Sequence, residues 1–260
     1  MKNIPVKKRN ACFHVEHAII RRKDNCLEVV SKEIFTIPIE QINVLILGAG
    51  TSITYAAVSL ASQHKVIIQW CKEEHRMFAY AEPNRNCKLL LKQCELFIND
   101  RIRIAKLMFK KRFNENVETI SIEKLRGLEG VRVREAYNKT ANKYNVEWKG
   151  RNYIPGKFDE SDLPNRMITF VNQLMYGLSC SIIVQLGLSP AVGFIHTGTS
   201  NSFVYDISDL YKIEVNMEVA FEAASSLFNQ KHFALQLFNE RIQKLDLSNR
   251  MVNDIMELLK

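Results

Sequence analysis

Cysteine pairs of the kind that bind zinc or carry out redox chemistry are missing from this sequence. None of the cysteines forms a Cys-x-x-Cys pair and their spacing matches no zinc site; they are Cys12, Cys26, Cys71, Cys87, Cys94 and Cys180. The first ten residues, M-K-N-I-P-V-K-K-R-N, do not resemble a secretory signal peptide. We therefore expect reduced thiols in the core of a cytoplasmic protein.

A long unbroken apolar run is lacking as well. The longest one, residues 167–184, contains Asn172 and Gln173, so it predicts a buried helix instead of a membrane span. The sequence also has no internal repeat and no low-complexity tract. These absences argue against a membrane partner and against a repeat architecture.

Positive charge is what the sequence has in excess. Its 260 residues include 36 Lys and Arg against 28 Asp and Glu, a formal net charge of +8, and 47% of them are hydrophobic. This length and apolar content suffice for one large domain or two smaller ones with a real core. The charge favours a polyanionic partner, nucleic acid first and an anionic membrane surface second.

The residue pattern predicts an α+β protein, with a small N-terminal β-rich domain at 1–84 and a larger all-α catalytic domain at 85–260. Short runs rich in β-branched and aromatic residues predict the strands. These lie at 12–20, 26–30, 42–47, 65–70 and 76–81, with one helix at 52–63. E-P-N-R-N at 82–86 reads as a linker.

A Gly-Ala-Gly turn at 48–50 lies between a predicted strand and the predicted helix. The dinucleotide-binding fingerprint needs a third glycine where this chain has Ile53. The preceding strands also lack the alternating helices of a doubly wound sheet. We therefore favour a glycine turn into a helix over a dinucleotide site.

Helices are predicted throughout the second part. Residues 87–113 form an amphipathic pattern, with apolar residues on one face and Lys92, Arg103, Lys106 and Lys110 on the other. This basic stripe suits either a solvated surface or phosphate contacts. Further helices are expected at 122–144, 164–186, around Asp206, and at 214–229, 231–243 and 247–259.

A candidate metal site lies in residues 193–212, G-F-I-H-T-G-T-S-N-S-F-V-Y-D-I-S-D-L-Y-K. His196 lies in a small-residue loop, and Asp206 and Asp209 are three residues apart in a predicted helix, so both carboxylates can face one point. Imidazole and carboxylate ligands suit a manganese or magnesium ion. Glu129 is the best candidate for a further acidic ligand.

The surroundings of Glu129 are unusual for a helix. Gly127 and Gly130 flank it, although each glycine costs about 1 kcal/mol relative to alanine inside a helix. Their missing side chains leave room for a backbone or a ligand, and Arg126 and Arg132 could hold phosphates next to a metal.

Each of these residues also has an ordinary structural explanation. A lone loop histidine more often binds backbone, an Asp near a helix start is favoured by the helix dipole, and a Glu can be a surface residue. Taken together, however, the residues favour metal-assisted phosphodiester chemistry, in which a cation polarises a phosphoryl oxygen and activates a hydroxyl or water.

Three segments resemble one known family. L-R-G-L-E-G-V-R-V-R, G-F-I-H-T-G and S-F-V-Y-D-I-S-D-L-Y-K are similar to motifs of the CRISPR-associated spacer-acquisition integrase and endonuclease family, the nuclease subunit of the adaptation complex. The resemblance is closest to the subtype I-E branch. The order of a β-rich part before a helical part matches too, so the resemblance covers nearly the whole chain.

The resemblance implies a Mg²⁺ or Mn²⁺ site at Glu129, His196 and Asp209, with Asp206 as a further acidic residue needed for activity. It implies a homodimer that works with a dimer of a small ferredoxin-like companion protein. It also implies that 3′-hydroxyl ends of short duplex DNA, the prespacer, are joined to the CRISPR repeat by direct transesterification, in antiviral defence. No covalent nucleophile is needed, and no Ser/His or Cys/His arrangement is present.

The same resemblance assigns DNA contacts to seven residues: Arg126, Arg132, Arg134, Arg151, Tyr176, Tyr205 and Lys212. Tyr176 has a structural alternative, because it lies in the predicted core helix. Thr199 departs from the pattern, since related sequences carry a basic residue after H-T-G, and this removes one expected phosphate contact.

Two other functions fit the same residues. One is a stand-alone metal-dependent nuclease that acts on branched DNA with water as the nucleophile. The other is a non-catalytic, architectural DNA-binding subunit.

Overall fold

Strands occupy the first part of the chain in the computed structural model, which describes residues 11–72, 75–80, 87–118, 121–152, 160–227 and 229–260. They are β1 (Ala11–Val15), β2 (Ile19–Lys23), β3 (Cys26–Val30), β4 (Ile34–Pro38), β5 (Ile42–Leu47), β6 (Ser52–Ile53), β7 (Ile67–Lys72) and β8 (His75–Tyr80). One sheet has the order β1-β5-β7-β8 and the other the order β4-β3-β2-β6. In the first sheet β1, β5 and β7 are parallel and β8 is antiparallel.

Helices form most of the rest of the described chain. They are α1 (Tyr55–Gln63), which lies between β5 and β7, then α2 (Lys88–Asn99), α3 (Arg101–Phe113), α4 (Ile122–Lys143), α5 (Leu163–Gln185), α6 (Ser202–Leu210), α7 (Glu218–Ala224), α8 (Gln230–Lys244) and α9 (Leu247–Leu258). A π-helical turn, Lys212–Met217, joins α6 to α7. The predicted α+β class, with a β-rich part before a helical part, is confirmed.

Strand β5 is buried on both faces, which explains its sequence I-N-V-L-I-L, apolar at every position except Asn43. Val44 and Ile46 belong to the core of the helical part, which is centred on α5. Leu45 and Leu47 belong to a second core that includes residues of the other sheet and of α1. The first sheet therefore separates two cores, and the helical core extends into the β-rich part.

The Gly-Ala-Gly turn after β5 is shaped by close packing. Gly50 has a φ of +66°, and a Cβ on it would lie 2.5 Å from Nδ1 of His17. A Cβ on Gly48 would lie 2.4 Å from Cγ of Glu16. The geometry agrees with a glycine turn, but the turn leads into β6 first, and α1 begins only at Tyr55.

Several predicted element bounds were wrong. The strand expected at 12–20 is two strands in different sheets, because the chain turns at His17, where φ is +50°. Strands β4 and β6 were missed. The long helix expected at 87–113 breaks at Asp100 into α2 and α3. The predicted linker at 82–86 lies outside the described residues, and the domain boundary near residue 84 stays a prediction.

Helix α5 is the central element of the helical part. Asp162 caps its start by accepting a hydrogen bond from the Asn165 backbone N–H at 2.9 Å, and Pro164 lies in its first turn. Among the described helices it alone is long and apolar enough to cross a membrane, but 78% of its most apolar window is buried inside the protein. It is a core helix, as the sequence predicted.

Candidate active site

A cleft of about 750 Å³ lies beside α4, α5, α6 and the π-helical turn. Five of the predicted DNA-contact residues and two of the predicted metal ligands line it: Arg134, Arg151, Tyr176, Tyr205, Lys212, His196 and Asp209. The structure thus gathers residues that lie far apart in the sequence. Clefts with converging polar groups are the usual place of binding sites.

Backbone packing forces the His196 loop into its shape. A Cβ on Gly193 would lie 2.5 Å from the His196 carbonyl oxygen and 2.6 Å from the Ser202 carbonyl carbon, so only glycine fits there. On the other side, the buried Gln93 of α2 donates to the carbonyl oxygens of Ser189 at 3.0 Å and Val192 at 2.8 Å. The loop is therefore fixed before any ligand binds.

Asp206 holds the histidine from inside the protein. Its fully buried carboxylate accepts hydrogen bonds from the backbone N–H groups of Phe194, Ile195 and His196, a nest of three consecutive donors. It also bonds Nδ1 of His196 at 2.8 Å. This contact fixes the ring orientation and leaves Nε2 for another partner.

The pKa of His196 is raised above its ordinary value of 6.5. Burial by itself would lower this pKa, but the hydrogen bond to Asp206 and the negative charges of Asp209, Asp206 and Glu129 outweigh it. The imidazole therefore lies among negatively charged side chains, which stabilise its protonated form.

Asp209 and Glu129 both contact positive side chains. Asp209 pairs with Lys212 through one oxygen, and its other oxygen lies 3.7 Å from Nη1 of Arg112. The same Nη1 donates to Glu129. Burial raises the pKa of Asp209, but the charges of Lys212 and Arg112 outweigh this and lower it, so Asp209 is an anion.

The prediction that the carboxylates of Asp206 and Asp209 face one point is therefore wrong. Asp206 faces the loop and Nδ1 of His196, whereas Asp209 faces Lys212 and Arg112. A fully buried carboxylate with this many backbone donors is suited to orienting the histidine and not to binding an ion itself.

The predicted ligands, Glu129, His196 and Asp209, fit a divalent cation in chemistry. In the described part of the chain no three His, Cys, Asp or Glu side chains stand close enough to hold a metal ion as they are. Cationic side chains instead contact both carboxylates. Two carboxylates around one positive group, next to an imidazole with a free Nε2, are nevertheless the donor set that Mg²⁺ or Mn²⁺ takes.

Tyr176 and Tyr205 form an aromatic wall next to His196. The ring centroids of the two tyrosines are 5.0 Å apart, and those of Tyr205 and His196 are 5.8 Å apart. Burial raises the pKa of Tyr176 to about 12, so its hydroxyl stays protonated. Tyr176 thus packs in the core and also lines the cleft, so its core position is compatible with the predicted DNA contact.

The basic residues differ in position. Arg151 donates to Asn165 at 2.8 Å and to Thr169 at 2.9 Å at the cleft rim. Arg126 is exposed on α4 and does not line the cleft. Arg132 also lies outside the cleft and makes a two-pronged ion pair with Glu115 at 2.9 and 3.0 Å.

Two residues that contact this site were not found from the sequence. Arg112 ends a basic run in the last turn of α3, which has the appearance of an ordinary helix end. Gln93 lies within an amphipathic helix. Neither has a local signal, because their partners come from distant parts of the chain.

Comparisons with known proteins find one matching family model and several similar relatives. The family model described as "CRISPR associated protein Cas1" matches residues 13–120 and 109–260. A CRISPR-associated endonuclease Cas1 from Clostridium sp. (strain SY8519) is 37% identical over 226 residues, which cover 85% of this chain and 75% of the relative. The protein of that name from Escherichia coli (strain K12) is 36% identical over 229 residues, with the same two coverages of 85% and 75%.

A solved structure shares the fold closely. The TtCas1–DNA complex is 34% identical to this chain, with a TM-score of 0.85 over 95% of this chain and 91% of the other. Fold, cleft and relatives together define the class, which is that of the CRISPR-associated endonucleases. Within that class, the chain belongs to the Cas1 family.

Proposed function

We propose that this protein is a divalent-metal-dependent DNA integrase and endonuclease of CRISPR adaptation. It joins the 3′-hydroxyl ends of short duplex DNA to the CRISPR repeat by transesterification. One observation carries the proposal: His196, oriented by Asp206, stands next to Asp209 and Glu129 where a cleft also presents Arg134, Arg151 and Lys212. Acidic ligands beside basic side chains suit a metal that acts on a phosphodiester.

Glu129, Asp209 and Nε2 of His196 would hold the cation. When bound, a Mg²⁺ or Mn²⁺ ion supplies Lewis-acid polarisation of a phosphoryl oxygen and lowers the pKa of an attacking hydroxyl. Asp206 acts through His196 by fixing its ring, because its own carboxylate is already used by the loop.

The remaining residues would bind and orient DNA. Arg134 and Arg151 present guanidinium groups to phosphates, and Tyr205 offers an aromatic face and a hydroxyl next to His196. Burial by itself would lower the pKa of Lys212, but the negative charge of Asp209 outweighs this effect and raises the pKa. The Lys212 side chain therefore stays protonated. Arg126, Arg132 and Tyr176 complete the proposed DNA-contact set, the two arginines at positions outside the cleft.

The proposed partners are the double-stranded prespacer, the CRISPR repeat, a second copy of this chain, and a dimer of a small ferredoxin-like companion. Binding to DNA is supported by the relative solved as a DNA complex. The subtype I-E branch stays a prediction, because identity to the Escherichia coli relative, 36%, does not exceed the 37% to the Clostridium relative.

A second candidate function is a stand-alone metal-dependent nuclease on branched DNA. The relatives' name, endonuclease, favours it. The same residues would serve, with water in place of a DNA hydroxyl. The third candidate, an architectural subunit without catalysis, conflicts with the presence of all four acidic and imidazole side chains.

A strand-transfer assay tests the proposal. Purified protein, with and without the companion, is incubated with Mn²⁺, a labelled short duplex with free 3′ ends, and a supercoiled plasmid that carries a CRISPR leader and repeat. We expect label joined to the plasmid by the wild type, and none with His196→Ala or Glu129→Gln, both of which still bind the duplex because phosphate contacts dominate affinity.

Each other outcome of that assay points to one alternative. Nicking without joining would establish the nuclease function. Normal joining by either variant would rule out the proposed ligands. Duplex binding without any product, in the presence of the companion, would leave the architectural subunit.

A further inference from the structure

Arg112 is a buried cation at the centre of the candidate active site. Only 4% of its side chain is exposed, although arginine is rarely buried this deeply. Its Nη1 donates to Glu129 and lies 3.7 Å from the Asp209 carboxylate. Its Nε and Nη2 are also buried and find no hydrogen-bond partner among the described residues.

This arrangement is costly for a purely structural arginine. A structural guanidinium uses its five donors on carboxylates and carbonyl oxygens, whereas unpaired buried donors lose their hydration without compensation. The burial of Arg112 therefore depends on the negative charges of Glu129 and Asp209. Conversely, these two carboxylates depend on Arg112, since Lys212 contacts only Asp209.

The position of Arg112 overlaps with that of the proposed ion. Two of the three proposed ligands, Glu129 and Asp209, already share its positive charge. A divalent ion bound by these carboxylates would be a close neighbour of the guanidinium. Two neighbouring cations in a partly buried site repel each other strongly.

We propose that Arg112 is a positioning residue that acts as the internal counter-cation of the metal-free site. It holds Glu129 and Asp209 facing each other, and a divalent cation has to displace it from these carboxylates in order to bind. The inference rests on the metal site of the proposed function.

Two effects of opposite sign follow from this role. Removal of the Arg112 charge should destabilise the metal-free protein, because Glu129 then loses its cationic partner and Asp209 keeps only Lys212. The same change should strengthen metal binding, because the competitor is gone. If Arg112 merely supported the fold, its replacement would lower both the stability and the metal affinity of the protein.

The test is a direct titration of Mn²⁺ into DNA-free protein by calorimetry, with melting temperatures measured with and without Mn²⁺. The variants are Arg112→Met, Arg112→Lys, which keeps the charge, and Arg103→Met, an exposed arginine of the same helix that removes an equal charge. We expect Arg112→Met to bind Mn²⁺ at least tenfold more tightly than the wild type and to melt lower without Mn²⁺. Arg112→Lys and Arg103→Met should stay within about threefold of the wild-type affinity.

Equal or weaker Mn²⁺ binding by Arg112→Met, next to measurable binding by the wild type, would overturn the role of Arg112 alone. If neither the wild type nor Arg112→Met binds Mn²⁺, the proposed metal site itself falls, and the role of Arg112 falls with it. Binding by Arg112→Met and none by the wild type would support both.

A second measurement on the wild type covers the case in which Arg112→Met does not fold. The arginine Nε–H resonances are followed by NMR during a titration with diamagnetic Mg²⁺, with Arg112→Lys used to assign the Arg112 signal. We expect this signal to move and to lose its protection from solvent exchange as Mg²⁺ binds. A signal that stays unchanged at saturating Mg²⁺ would overturn the proposal.

Discussion

Asp206 shows how a single carboxylate organises the residues around it. It joins three consecutive backbone N–H groups and an imidazole nitrogen in one buried contact. Its charge therefore shapes the loop and sets the basicity of His196 at the same time. Both consequences can be measured separately from catalysis.

Replacement Asp206→Asn should lower the pKa of His196. The amide keeps the size of the side chain but removes the charged hydrogen bond that opposes the effect of burial. The measurement is a pH titration of the histidine ring resonances in metal-free protein, with His196→Ala identifying the signal. A pKa equal to that of the wild type would show that Asp206 does not control His196.

The same titration has a consequence for stability. Because the pKa of His196 is higher in the folded than in the unfolded state, its contribution is fully present below pH 6.5, the ordinary pKa. It is lost as the pH rises through the raised pKa of the folded state. As the pH rises through that range, the difference in free energy of unfolding between metal-free wild type and Asp206→Asn should therefore become smaller.

Arg134 and Arg132 form a matched pair on α4 for testing DNA contact. Arg134 lines the cleft, whereas Arg132 is already paired with Glu115 outside it. Arg134→Ala should weaken duplex binding and lower the slope of log affinity against log salt by about 1. Arg132→Ala should change the slope less, because that arginine has to leave Glu115 first. Equal slopes in both variants would contradict the assignment of the cleft as the DNA path.

At the scale of elements, α4 contains two glycines that its fold does not need. A Cβ on Gly127 or Gly130 would meet no atom within 4 Å. Both lie on the helix face that continues to Arg134 at the cleft wall, since the three residues follow the spacing of one helical stripe. The helix thus keeps an open surface along the stripe that leads to Arg134.

Gly127→Ala and Gly130→Ala should each raise the free energy of unfolding by about 1 kcal/mol, the helix preference of alanine over glycine. They should nevertheless weaken duplex binding, because the added methyl groups stand where we expect a DNA backbone to pass. Chemical denaturation and fluorescence anisotropy measure the two effects. A stabilised variant that binds DNA as well as the wild type would show that the open surface has no part in binding.

At the scale of the whole molecule, the β-rich part and the helical part share a core. Val44 and Ile46 of β5 pack with the residues around α5, and the backbone carbonyl of Asn43 accepts a hydrogen bond from Ser181 of α5 at 3.3 Å. A sheet with both faces covered has no water-exposed side on which the two parts could separate easily.

Ile46→Ala should therefore destabilise the whole protein by about 2–5 kcal/mol, as is typical when a buried aliphatic side chain is removed. We expect one cooperative transition, with the same midpoint in far-UV circular dichroism and in tryptophan fluorescence. Trp70 reports on the sheet and Trp148 on the helical core. Two separate transitions would favour the independent domains, with a boundary near residue 84, that the sequence predicts.

The sequence alone determined the elements whose signals are local. The predicted bounds of α4 and α5 differ from the observed ones by at most one residue, and short runs rich in β-branched residues predicted β3 and β5. The motifs around Glu129 and His196 already resemble those of the family. Each of these features is contained in a window of a few residues.

Tertiary structure decided what depends on distant contacts. The turn at His17 divides one apolar stretch between two sheets, and Asp206 faces the loop while Asp209 faces the cleft. Arg112 meets Glu129 and Asp209 only because α3, α4 and α6 pack together. The sequence does not indicate which charged residues will pair, because Coulomb attraction depends on distance in space and not on separation along the chain.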